Sequence, residues 1–145
     1  MLSFDNILES PHCTKKMGNI SLSEQRSSLL IANKGCCMYE IKIDGGLIPY
    51  QVGQKKCDYL VIRDSDKKYI FIELKGTDIK KAMAQIICTI DQISINSSPR
   101  SGLIIARKTP MEGGSEQILR RKARKDHGLE FTIRSSPYRT KADSI

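Results

Sequence analysis

The sequence predicts an α/β fold in which a mixed central sheet is flanked by helices, in the order α-β-β-β-α-β followed by an added α-β. Two observations carry most of this. Cys57 to Arg63 and Lys68 to Lys75 are β-rich runs separated by the polar Asp64-Ser65-Asp66-Lys67, which reads as a hairpin. Directly after it, Ile79, Ala82, Met83, Ile86, Ile87, Ile90 and Ile93 recur at close to helical period over four turns, the mark of an amphipathic helix packed on one face.

The remaining elements follow in order. Residues 1–20 show no sustained period and are interrupted by Pro11 and Gly18. Ser21-Leu22-Ser23-Glu24 has the capping-box spacing, so a short helix is expected from there to Gly35, with Leu29, Leu30 and Ile31 as its apolar residues. Cys36 to Ile43 alternates and predicts a first strand, turned by Asp44-Gly45-Gly46. Pro49 and Gly53 mark a loop up to Lys56. After the hairpin, Gly76 ends the strand and Thr77 or Asp78 can cap the long helix. Asn96 to Arg100 is a loop, Gly102 to Ala106 a short buried strand, and Thr109 to Gly114 another loop. Ser115 to His127 reads as a basic helix ended by Gly128, with Ile118, Leu119 and Ala123 kept for packing, and Leu129 to Arg134 as a last strand. One domain over 1–145 is expected, with a core at about 21–107 and a loose polar tail at 135–145.

Register decides which side chains of the hairpin meet. With Ser65-Asp66 as a two-residue loop, Asp58 falls opposite Glu73, Leu60 opposite Phe71 and Ile62 opposite Tyr69. A slip of two residues places Asp58 opposite Lys75 instead, and either register keeps Asp58, Glu73 and Lys75 on one face. Two carboxylates on adjacent strands, with the Leu74 carbonyl nearby, offer hard oxygen ligands to Mg²⁺ (or Mn²⁺). Such an ion offsets charge on phosphoryl oxygens and lowers the pKa of a bound water. Lys75, two residues beyond Glu73, can orient that water or stabilise a phosphorane.

Cys57-Asp58 on one strand, followed by Tyr69-Ile70-Phe71-Ile72-Glu73-Leu74-Lys75-Gly76 on the next, resembles the PD-(D/E)XK nuclease superfamily, which includes restriction endonucleases and Holliday junction resolvases. The resemblance covers about residues 21–107. It implies a restriction-endonuclease-like core, Asp58 and Glu73 as metal ligands, and Lys75 as the catalytic lysine. Cys57 stands where the motif has proline. A second E-x-K, Glu40-Ile41-Lys42, has no properly placed upstream aspartate on a hairpin and reads as a solvated strand face. The resemblance offers Glu24 as an accessory first-helix carboxylate, although its place in a capping box explains it equally. It offers Gln85 as an accessory glutamine, although Gln85 lies away from the centre of the apolar stripe, where a solvated role is expected. Asp44 lines the same cleft or is simply a turn residue before Gly45.

Charge points to the partner. Lys and Arg number 24 against 16 Asp and Glu, a formal net charge of +8, which favours a polyanion. Residues 101–145 hold ten of the basic and five of the acidic residues, so the excess is carboxy-terminal. Arg120, Arg121, Arg124 and Lys125 are candidate contacts to backbone phosphates, against the alternative of an ordinary solvated helix. The five cysteines include no C-x-x-C and only His12 and His127 as imidazole co-ligands, which favours free thiols in a reducing cytosol over a zinc site. MLSFDNILES carries acids where a signal peptide carries lysines, and no apolar run approaches the ~18 residues of a membrane span. The expectation is a cytoplasmic, Mg²⁺-dependent endonuclease acting on DNA in preference to RNA, working as a homodimer or with a partner protein. The alternative is a nuclease-fold module that binds nucleic acid or protein without cutting.

Overall fold

The computed structural model describes residues 1–24, 26–53, 55–75, 77–108 and 112–145, the Lys75 side chain excepted. In chain order the elements are α1 (Phe4–Glu9), β1 (Cys13–Lys16), β2 (Ile20–Glu24), β3 (Ser27–Ala32), β4 (Met38–Lys42), β5 (Tyr59–Arg63), β6 (Lys68–Lys75), α2 (Ile79–Ile90), β7 (Arg100–Ala106), α3 (Gly114–His127), β8 (Glu130–Ser135) and β9 (Tyr138–Lys141). A six-stranded sheet runs β1-β4-β5-β6-β7-β8, and a separate three-stranded sheet runs β2-β3-β9. The large sheet is mixed: β1, β4, β5 and β6 pair antiparallel, whereas β6, β7 and β8 are parallel.

The α/β class and the mixed sheet agree with the sequence reading, but the layers differ from it. The two parallel crossovers, β6-α2-β7 and β7-α3-β8, step in the same direction across the sheet, and a constant crossover hand therefore puts α2 and α3 on the same face. There Leu60, Ile62, Tyr69 and Phe71 pack against Ile79, Met83, Ile86 and Ile90 of α2, with Ile7 of α1 in the same cluster. The opposite face is covered by the small sheet, where Val61, Ile70, Ile72, Leu74, Leu103 and Ile105 meet Ile20, Leu22, Leu29 and Ile31. Strand β6 is consequently apolar on both sides, as its run of β-branched and aromatic residues requires.

The helix expected at 21–35 is instead the β2–β3 hairpin. Its buried residues follow a period of two: Ile20 and Leu22 on β2, then Leu29 and Ile31 on β3, paired Ile20↔Ile31 and Leu22↔Leu29. Ser21 and Ser23 alternate outward, so the hydroxyl that looked like a helix cap is a solvent-face residue. The turn hides itself because Arg26 takes a left-handed φ of 66° with no Asn-Gly signal beside it. The core order α-β-β-β-α-β therefore lacks its first helix and gains strands.

Two further expectations change. Residues 1–20 hold α1, capped by Ser3 accepting from the Asn6 N–H, and the edge strand β1. The tail beyond Ser135 is not loose: β9 pairs parallel with β3, and Ala142 is buried. The Arg63 guanidinium ties the end of this segment to β5, donating to the carbonyls of Ala142 and Ile145 at 2.8 Å each. On α3, Ala123 is buried as expected and Leu119 is partly buried against the core, but Ile118 is 63% exposed.

Close approach between β7 and β8 depends on Gly102, which stands opposite Phe131. A Cβ there would meet Phe131 Cδ1 at 2.7 Å and Cε1 at 2.9 Å. Gly102→Ala is expected to destabilise the fold by about 1–3 kcal/mol through overpacking, read as a lower urea midpoint with unchanged slope.

Candidate functional site

The β5–β6 ladder pairs Tyr59↔Ile72, Leu60↔Phe71 and Ile62↔Tyr69, the first of the two even registers read from the sequence. One position beyond Tyr59, this register sets Asp58 across from Glu73, and the side chains interlock there. The Asp58 N–H donates to Glu73 Oε1 at 3.0 Å, while the Leu74 N–H donates to Asp58 Oδ2 at 2.8 Å. Each carboxylate accepts from the main chain of the neighbouring segment, which fixes both orientations with charge-assisted bonds. Glu73 is only 1% exposed and Asp58 half-buried. By strand alternation both lie on the α2 side of the sheet, with Leu60 and Phe71. Lys75 ends β6 opposite Ala106 of β7 and shares that parity, and its side chain lies outside the described residues.

Helix α2 positions the segment that carries Asp58. The Cys57 N–H donates to Thr89 Oγ1 at 2.8 Å, and the Thr89 hydroxyl donates to the Gln85 carbonyl at 2.8 Å. Gln85 Nε2 donates to the Lys56 carbonyl at 3.2 Å. Gln85 is thus a buried residue, 7% exposed, and not the solvated one its place on the stripe implied. Its Oε1 is buried without a hydrogen-bond partner. Thr89 was missed in the sequence, and the signal for it was two polar residues at i and i+4 on the inner face of an otherwise apolar helix.

Burial pushes the Cys57 thiol far above its ordinary range; its hydrogen bond with Thr89 opposes this, and the charges of Glu73 and Asp58 push it further up. The thiol is therefore protonated and unreactive at neutral pH. Burial likewise raises the Tyr59 phenol, helped by the negative charges of Glu24, Glu40 and Asp58. Glu24, paired with Ser27 at the end of β2, belongs to the small sheet and approaches from the face opposite Glu73. Asp44 sits in the turn after β4, bridged to Ile48.

Among the described residues, no group of three or more His, Cys, Asp or Glu is placed to hold an ion. The candidate donors are two carboxylates and the Leu74 carbonyl. That set suits Mg²⁺, which retains several waters and takes substrate phosphate oxygens in its remaining positions, better than a metal needing a full protein cage. All five cysteines are free.

The basic helix divides into two parts. Arg120 Nε meets Glu112 Oε2 at 2.7 Å and its Nη1 donates to the Phe131 carbonyl at 2.8 Å, while Arg124 Nε meets Glu130 Oε1 at 2.6 Å. Arg121 and Lys125 are exposed. No helix among the described residues is long and apolar enough to cross a membrane.

No family model matches this chain, and neither does any curated protein or solved structure.

Thr89→Val leaves the buried Cys57 N–H without an acceptor and should cost about 1–3 kcal/mol in chemical denaturation, with Thr89→Ser recovering most of the loss.

Proposed function

We propose that the chain is a metal-dependent nuclease with a restriction-endonuclease-like core, hydrolysing phosphodiester bonds in DNA in preference to RNA. The observation that carries this reading is the crossed bonding at the end of the β5–β6 ladder, in which the Asp58 N–H donates to the Glu73 carboxylate and the Leu74 N–H to the Asp58 carboxylate. Burying a carboxylate as deeply as Glu73, across from a second at Asp58, costs free energy through desolvation. A divalent cation gives that arrangement a use.

In this mechanism Asp58, Glu73 and the Leu74 carbonyl would hold Mg²⁺. When bound, the ion neutralises charge on the phosphoryl oxygens and acidifies a water. The protein's own part is positional. The main-chain N–H groups of Asp58 and Leu74 keep the two carboxylates aimed, and Thr89 and Gln85 hold the segment from Lys56 to Asp58 against α2. Lys75 follows Glu73 by two residues in β6, and the resemblance would give its ammonium the task of orienting the attacking water or stabilising the pentacoordinate phosphorane. Water adds to phosphorus, one ester P–O bond breaks, and the leaving oxygen takes a proton.

The donor set also favours a second reading, because only two side-chain carboxylates meet here among the described residues. That reading is a nuclease-fold module that binds nucleic acid without cutting it.

Incubation of duplex DNA, single-stranded DNA and RNA with Mg²⁺ or Mn²⁺ separates the two. Cleavage abolished by EDTA is expected, falling at least about 100-fold in both Glu73→Gln and Asp58→Asn, with circular dichroism confirming that each variant is folded. Cleavage that survives in both variants would overturn the nuclease reading. Salt-sensitive binding without cleavage under either ion would favour the module.

A further inference from the structure

Four cations gather at the edge of the large sheet where the candidate site lies, and none of them belongs to α3. Strand β7 ends at Ala106, level with Lys75 of β6 and Ser135 of β8, so Arg107 and Lys108 leave the sheet at the same edge as the Asp58–Glu73 pair. Lys81 stands in the first turn of α2, and Lys55 precedes the segment that α2 clamps. The charges of Asp78 and Glu73 are also felt at Lys81. The neighbouring Lys55 holds the Lys81 ammonium below its ordinary pKa. All four side chains are exposed, and none makes an ion pair with a carboxylate among the described residues.

Cations brought to one end of the central strands favour an anion between or beside them. On α3, by comparison, Arg120 and Arg124 already have Glu112 and Glu130 as partners, which leaves Arg121 and Lys125 as its exposed cations among the four candidates. Dimensions fit as well. Adjacent strands lie about 4.8 Å apart, so the edge from β5 to β7 spans roughly 10 Å. That width is enough to face more than one phosphate of a strand, whose rise along the duplex axis is about 3.4 Å per phosphate.

We propose that Lys55 and Lys81, together with Arg107 and Lys108, form the surface that grips the DNA phosphate backbone and lays it over Asp58 and Glu73, and that α3 is secondary in binding. The assignment rests on the nuclease reading for what is done to the bound strand, but binding can be measured without it. Cations placed along a backbone in this way give affinity without sequence preference and a steep dependence on salt.

The test is fluorescence anisotropy with a labelled DNA duplex of arbitrary sequence, in EDTA so that nothing is cut, from 50 to about 200 mM salt. Compared with the unaltered chain, the double variants Lys55→Ala/Lys81→Ala and Arg107→Ala/Lys108→Ala should each flatten the plot of log K against log salt by about 2, one for each phosphate no longer neutralised. Arg121→Ala/Lys125→Ala should leave the slope within about 0.5 of the original. The proposal is overturned if the α3 double variant carries the change, if neither edge variant alters the slope, or if the unaltered chain does not bind duplex DNA. Weakened binding in the edge variants of a chain that never cleaves would retain this surface while removing the nuclease reading.

Discussion

Pairing between β5 and β6 is the constraint on which the site depends. Alternation makes strand register all-or-none: a slip by one residue would turn Asp58 to the opposite side from Glu73 and bring Leu60 and Ile62 out of the helix-facing core. The apolar residues therefore enforce the polar arrangement. Because Ile70 and Ile72 are fully buried on one face and Phe71 on the other, a slip of β6 by one residue would exchange its side chains between the two cores. Asp58 and Glu73 then meet at the ladder's end, where each carboxylate accepts a main-chain N–H from across the pair.

The second support comes from α2, which uses two polar residues on its inner face to hold the chain before Asp58. A buried threonine and glutamine at i and i+4 are costly unless satisfied. Thr89 is satisfied as both donor and acceptor, and Gln85 through its amide nitrogen. The same helix brings Lys81 to the sheet edge. One element thus connects the core, the segment before Asp58 and a cation at the end of the central strands.

How far the sequence could be read tracks how local each signal is. The β5–β6 hairpin and α2 were legible because a continuous apolar pattern, a polar turn and a helical period lie within 37 residues, from Cys57 to Ile93. The β2–β3 hairpin was not, since Ser21 and Glu24 have capping-box spacing and the turn at Arg26 carries no glycine or asparagine. Strand β9 was illegible for another reason: Tyr138 to Lys141 is short and polar, and becomes a strand by pairing with β3 far away in the chain. In the site, parity put Asp58 and Glu73 on one face and the two-residue loop set them opposite each other, whereas the burial of Gln85 required knowing that the segment before Asp58 packs under α2. The engagement of Arg120 and Arg124 likewise depends on acids that only folding brings near.

The small sheet is closed by a partner recruited from more than a hundred positions away, with Leu29 beside Tyr138 and Ala32 beside Lys141. Such non-local pairing raises the contact order and delays assembly, because a long loop must close before any compensating interaction forms. Until it does, Leu22, Leu29 and Ile31 have a hairpin but no complete sheet, and the underside of β6 is only partly covered. The hairpin carrying Asp58 and Glu73 closes a short loop, whereas the layer beneath it depends on a pairing across more than a hundred residues.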